Sequence, residues 1–318
     1  MLQPSIRKAL DALDSLSDVP EASDLARFER EGKITDGRKA AAARVYEVLK
    51  DILHSGSAQK RYLAVFLDGL PGSGKSGMSE KLRNGVQDEN LLGDDQVAIL
   101  PLDWFIGTES GSAQRQALTR DAQTFDAGYL RYDLARNVTR TVLELMGSKK
   151  SCNIPIQNKY CRDLGGKFQD GEFVLGEDVR LLIIEGVGAI NRVAGPNGFP
   201  PQVDRHTIFM YGQNRQSLFR ATLRDMRRKP GSTFEQEYMK RAGEYRYLLP
   251  QLRFTPRSAD QVCRRYKDDA EYLRRLQESD ADDNSSVSRV ISMVHSDFLR
   301  RVVPDPQILS VFSAGKRV

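Results

Sequence analysis

The chain has 318 residues, a 40% apolar fraction and a net charge of +5, which suits one large α/β domain with additions or two modest domains. No run approaches the roughly 18 uncharged apolar residues of a membrane span, and the first residues lack the long apolar stretch of a signal peptide, so no membrane association is expected. Three scattered cysteines (Cys152, Cys161, Cys263) and three histidines argue against a disulfide framework or structural zinc and for a reducing, cytoplasmic setting, while the modest charge permits nucleic-acid binding without indicating it.

Residues 1–58 read as an N-terminal helical extension. Ile6, Leu10, Leu13 and Leu16 have helical spacing, and Pro20 falls in a polar loop. Thr35 or Asp36 can cap a second helix whose apolar stripe is Val45, Val48, Leu49, Ile52 and Leu53. Next, Tyr62 to Leu67 form an apolar run of strand length. It leads into Gly69-Leu70-Pro71-Gly72-Ser73-Gly74-Lys75-Ser76, and then into a helix marked by Met78, Leu82 and Val86. Strand, G-x-x-x-x-G-K-S and helix in that order specify a phosphate-binding loop. Gly69, Gly72, Ser73, Gly74 and Gly77 supply backbone N–H groups at a helix N-terminus. Lys75 suits the β- and γ-phosphates of a nucleoside triphosphate, and the Ser76 hydroxyl suits Mg²⁺.

Strands and helices alternate beyond the loop. Val97 to Leu102 reads as a buried strand ending at Asp103-Trp104-Phe105, and Tyr132 to Met146 as a helix with Leu134, Val138, Val142 and Leu145 on one side. Val179 to Ile184 is a strand ending at Glu185-Gly186, and His206 to Tyr211 another. Near-continuous apolar strands separated by helices predict a mainly parallel sheet covered on both faces, a three-layer P-loop NTPase sandwich. Ligands gather at the carboxyl ends of such strands, where the loop, Asp103 and Glu185 all fall. Either carboxylate could cap a turn. Beside a nucleotide loop, Asp103 could instead take a proton from an attacking hydroxyl, and Glu185 could hold a metal or its water. Gln216 to Lys229 follows a helical course ended by Pro230-Gly231. Its arginines are either a solvated face or a lid that closes on phosphates. Gln277 to Ser286 is acidic and polar, and Val290, Ile291, Val294 and Phe298 mark a short amphipathic helix that could pack on the domain or on a second copy.

The order GLPGSGKS, LDWF, TFD, NIPIQ, IIEG, LRDMRRK and SADQV, from about Tyr62 to Val262, resembles the uridine kinase and phosphoribulokinase-like group of P-loop kinases. The resemblance implies a kinase domain over 59–265 with a basic lid at about 214–231, followed by a helical tail over 266–318. It also implies phosphoryl transfer from ATP with Mg²⁺ to an alcohol on a small molecule. By position, Asp103 matches the catalytic base, Glu185 the E-G carboxylate and a metal-side residue with Ser76. Arg224, with Arg228 and Lys229 more loosely, matches the lid, and Phe125-Asp126 the acceptor-side segment. Tyr132, Lys159 and Arg162 join Asp126 as acceptor-side candidates. The chain departs from the uridine-reading pattern in having Ile154-Pro155-Ile156-Gln157-Asn158-Lys159-Tyr160-Cys161-Arg162 and Asp103-Trp104-Phe105-Ile106-Gly107. Lys159 and Arg162 could therefore grip an anionic acceptor or lie on the surface. Three functions follow: a kinase of a small-molecule hydroxyl, a kinase of a hydroxyl carried by nucleic acid such as a hydroxymethylated base, or a nucleotide-dependent regulatory NTPase. Acceptor identity, ATP or GTP preference and homo-oligomerisation stay open.

Overall fold

The computed structural model describes residues 27–54, 62–195, 199–212, 217–218, 220–222, 224–225, 232 and 234–264. The first amphipathic helix, Arg228 and Lys229 of the lid, and the tail over 266–318 lie outside the described residues. Strands β1 (Ile34–Asp36), β2 (Tyr62–Asp68), β3 (Val97–Pro101), β6 (Leu181–Glu185), β7 (Val203–Tyr211) and β8 (Gln261–Arg264) form one sheet, in spatial order β1-β8-β7-β2-β6-β3. Every pairing in it is parallel. A separate antiparallel pair, β4 (Cys152–Cys161) and β5 (Lys167–Leu175), stands apart from it.

The side-chain alternation of β2 explains the layers. Leu63, Val65 and Leu67 enter one core with Val45 and Leu49 of α1 (Gly37–His54) and with Met78, Leu82 and Val86 of α2 (Lys75–Asp88). Ala64 and Phe66 enter the opposite core with Val138 and Val142 of α5 (Tyr132–Gly147) and with Tyr245 and Leu248 of α6 (Phe234–Leu252). A strand fed from both faces must be apolar throughout, and all seven residues of β2 are buried. Each fully buried Leu or Phe contributes about 1.5–3 kcal/mol, so this central strand is a large share of the core.

Of the four strand expectations, those for β2 and β3 hold to within one residue, as does the helix expectation for α5. The β6 strand starts two residues later than expected, at Leu181, and β7 three earlier, at Val203. One expectation needs correction. The segment before Tyr62 is not helical throughout, because Ile34–Asp36 form a strand in parallel register with Val262–Arg264. Thr35 and Asp36 thus lie in that strand, and Asp36 also stands directly before Gly37, the first residue of α1, where a cap was expected. Three residues are too few for period-two patterning to be visible in sequence.

Candidate active site

Register brings the site together. Glu185 closes β6 opposite Leu67 of β2 and Pro101 of β3. Asp103 follows in a short 3₁₀ turn, Leu102–Phe105. The phosphate loop leaves β2 on the same edge and ends at the first residue of α2, Lys75. Three strand ends therefore deliver a lysine, a hydroxyl and two carboxylates to one place, as parallel sheets do at their carboxyl edge.

The loop is built around backbone positions that side chains could not share. Gly72 has φ of 79°, and a Cβ there would stand 2.2 Å from the Ser217 carbonyl oxygen. Gly74 caps α2 with φ of 97°. Both conformations are ones that only glycine adopts without strain. The buried Lys75 donates from Nζ to the carbonyls of Gly69 and Leu70, at 2.9 and 3.0 Å. Burial pushes its pKa down, against the pull of Glu185 and Asp103. Ser76 donates to Glu185 Oε1 at 3.0 Å. Burial, with the nearby Asp103 charge, pushes the Glu185 carboxyl up.

Beneath the loop lies a carboxylate that sequence reading passed over. Asp68 is fully buried and accepts three backbone N–H groups, from Gly69 (2.7 Å), Gly188 (2.8 Å) and Ile190 (3.1 Å). It ties the start of the phosphate loop to the turn after β6. Burial raises its pKa to about 6 despite those bonds and the Lys75 charge. An aspartate ending an apolar strand was the available signal. Nothing local showed that its partners lie some 120 residues onward.

The cavity at this edge measures about 370 Å³ and holds the loop residues Gly72, Gly74, Lys75, Ser76 and Gly77 at one side. Its other wall carries Asp103, Arg162 and Arg224. Asp103 accepts from Arg162 Nη2 through Oδ2. Burial would raise the Asp103 carboxyl, but Arg162, Arg224 and Lys75 outweigh it and hold the group below its ordinary value. Arg224 sits 3.5 Å from Asp225 Oδ1 through Nε, and its Nε and Nη2 are buried without a hydrogen-bond acceptor among the described residues. Burial, then repulsion from Arg162, lowers its pKa.

Behind this wall runs a buried ion-pair chain. Arg241 donates from Nε to Asp225 Oδ2 at 2.6 Å and from Nη1 to Glu244 Oε2 at 2.6 Å. Glu244 Oε1 then accepts from Arg115 at 2.8 Å, and Arg115 Nη1 reaches Thr108 at 3.4 Å. The lid segment, α6 and the loop after β3 are thereby braced together. Tyr245 of α6 also donates to the Pro71 carbonyl of the phosphate loop. None of Arg115, Arg241 or Glu244 belonged to a recognisable motif, because the pairs join residues as far as 129 positions apart.

The structure separates the acceptor-side expectations. Arg162 lines the cavity. Lys159 lies over the Trp104 ring at 4.5 Å, and Trp104 meets Phe173 edge-on, so both belong to the hairpin packing. Asp126 pairs with Arg192, whose guanidinium lies over the Tyr132 ring at 5.4 Å. Tyr132 donates to the Val187 carbonyl at 3.4 Å. Lys159, Asp126 and Tyr132 are absent from the cavity lining, whereas Tyr129 and Tyr160 are part of it. Gly69 and Ser73 also stand back from it. Gly69 gives its carbonyl to Lys75, and Ser73 is buried under the loop. Cys152, Cys161 and Cys263 are free thiols, and among the described residues no helix is long and apolar enough to cross a membrane.

The oxygen set of Ser76 and Glu185, touching one another at the phosphate loop, fits Mg²⁺. Among the described residues no group of three His, Cys, Asp or Glu side chains forms a cage. Such an ion would thus share its ligands with phosphate and water, as Mg²⁺ usually does.

No protein-family model matches the chain, and no curated protein matches it. Solved structures do match. A possible uridine kinase from Bacillus stearothermophilus has 16% identity, covering 59% of this chain and 92% of its own, with a TM-score of 0.35. A candidate fructose transport system kinase from Silicibacter sp. TM1040 has 17% identity, covering 68% and 97%, with a TM-score of 0.47. The YGR205w protein has 15% identity, covering 67% and 85%, with a TM-score of 0.44. At these identities the likeness concerns the fold and says nothing of an acceptor.

Proposed function

We propose that the protein is an ATP-dependent kinase that phosphorylates a hydroxyl of a small molecule. One observation carries the reading: a single cavity of about 370 Å³ joins the phosphate loop to Asp103 and Arg224. Its size lies in the range of small-ligand pockets.

In this reading the loop N–H groups and Lys75 hold the β- and γ-phosphates, and Ser76 with Glu185 would hold Mg²⁺. The ion's contribution is to neutralise phosphate charge. Arg162 occupies Asp103 Oδ2, which leaves Oδ1 to accept a hydrogen bond from the acceptor hydroxyl. That oxygen bonds to the γ-phosphorus as the bond to the β–γ bridging oxygen breaks. The proton passes to Asp103 and ADP leaves. A carboxylate held ionised by three cations is a weak base. It serves because a loose phosphoryl-transfer transition state asks for orientation more than for strong proton abstraction. The unbonded nitrogens of Arg224 are placed to take up charge on the transferring group.

The test is ADP release with Mg²⁺ and ATP against nucleosides, sugar phosphates, hydroxy acids and hydroxymethylated DNA, with products identified by mass. One small-molecule class converted to a phosphomonoester supports the reading. Steep salt dependence with DNA alone would move the acceptor to nucleic acid. Tight ATP binding with slow hydrolysis and no product across the panel would replace the kinase by a nucleotide switch.

A further inference from the structure

We infer that the β4–β5 hairpin reads an oxyanion on the acceptor, with Arg162 and Tyr160 taking a carboxylate or phosphate carried by the same small alcohol that is phosphorylated. The inference rests on the kinase reading and narrows its substrate class to hydroxy acids and alcohol phosphates.

Tyr160 is the penultimate residue of β4 and Arg162 is the first residue beyond that strand. Both line the cavity, while Lys159, the residue before Tyr160, lies over the Trp104 ring. The hairpin is held for this task. Arg131 donates to the Gln157 and Asn158 carbonyls at 3.1 and 2.7 Å, Asn158 takes φ of 50° at an irregularity in β4, and its N–H donates to Asp170 at 2.8 Å. Glu109 accepts from the Phe168 N–H at 3.0 Å and so fixes the other strand.

The Arg162–Asp103 pair differs from the braces behind it. Its side chains are 26% and 34% exposed, against 10% and 2% for Arg241–Glu244. Exposed pairs exchange partners at little cost, and buried ones do not. Positive charge is also in surplus at this spot. Asp103 faces Arg162, Arg224 and Lys75 together, and two Arg224 nitrogens have no acceptor. Because Arg162 touches the carboxylate that would hold the acceptor hydroxyl, an acceptor bonded to Asp103 lies within its reach. A planar guanidinium beside a phenol hydroxyl matches a carboxylate or phosphate and has no use for a neutral sugar or base.

Glycerol, glycerate and glycerol 3-phosphate share a carbon skeleton and serve as probes, with ribose and ribose 5-phosphate as a longer pair. Binding is measured by calorimetry with Mg²⁺ and ADP filling the nucleotide side, and turnover by ADP release with ATP. At least one oxyanion should bind about 10- to 100-fold more tightly than its neutral partner, the scale of one charge-assisted hydrogen-bonding group. Arg162→Gln should erase most of that preference, Arg162→Lys should restore part of it, and both should keep the ATP affinity of the parent. Preference for glycerate or for glycerol 3-phosphate tells carboxylate from phosphate. Equal binding of neutral and anionic probes, or a preference untouched in Arg162→Gln, would overturn the inference. Arg162-dependent anion binding without phosphoryl transfer would support the oxyanion site and sink the kinase reading. Transfer to neutral alcohols alone would do the reverse.

Discussion

The two walls of the cavity are made by different means. The phosphate wall comes from nine consecutive residues, Gly69 to Gly77, whose turn and helix start are set by local backbone conformation. The acceptor wall is assembled from a turn after β3, a hairpin, a lid segment and α6, held by ion pairs between distant residues. Local geometry makes a site that works wherever strand, loop and helix recur in that order. An assembled wall can be rewritten one partner at a time. Under the proposed kinase reading, that assembled wall is where this chain would set its own acceptor.

That contrast can be tested at its strongest point. Asp103→Asn removes the proton acceptor and keeps the shape, so kcat should fall about 10²- to 10⁴-fold, while ATP affinity stays within about twofold. Single-turnover kinetics with equilibrium ATP titration checks this. A large loss of ATP binding would show that the walls are not separable.

Next in size is Glu244→Gln, which leaves Arg115 and Arg241 buried without their shared carboxylate. Breaking a buried pair in this way costs about 3–5 kcal/mol, to be read from urea unfolding at pH 7. In the folded variant the acceptor KM should rise more than the ATP Kd. Gly72→Ala addresses the opposite wall. A Cβ would meet the Ser217 carbonyl oxygen, and φ is positive, so about 1–3 kcal/mol is expected. Here ATP affinity should drop with little change in acceptor KM.

The smallest effect concerns acid. Glu244 is held down to about 2 by Arg241 and Arg115 against its burial. Its contribution is full above about pH 4.5 and is lost as pH falls toward 2. Asp68 has the opposite sign. Burial raises it to about 6, so the folded state binds its proton more tightly, and ionising it between about pH 4 and 6 lowers stability. Stability relative to Glu244→Gln should rise with pH over the lower window. Relative to Asp68→Asn it should fall over the upper one and level off above about 6. Two slopes of the same sign would contradict the assignment of these environments.

The sheet and the phosphate wall were legible because their causes are local. Apolar runs mark β2, β3, β6 and β7, and glycine spacing marks the turn before Lys75. Asp103 and Glu185 became candidates because both follow such runs. The antiparallel β4–β5 pair was missed, since Cys152–Cys161 mixes buried and exposed positions around an irregularity that breaks the alternation. Arg162 was a candidate without a direction, and only the fold shows that it meets Asp103. Arg115, Arg241 and Glu244 read as ordinary helix charges, because an i, i+3 pair within α6 is common on any solvated face. Asp126 was a candidate by motif order and Lys159 by its charge, and with Tyr132 they make packing and ion-pair contacts outside the cavity lining.

The three-residue strand Ile34–Asp36 carries a practical consequence. It covers the open backbone side of β8 over Val262–Arg264, at the end of the sheet farthest from β3. A shortened chain beginning at Tyr62 keeps every cavity residue but strips that cover together with α1, whose Val45, Leu49 and Ile52 fill the core against β2. The exposed N–H and C=O groups of β8 would then template pairing with another copy. Such a fragment should precipitate, so the leading segment supports both the core and the sheet edge although it lines no part of the cavity.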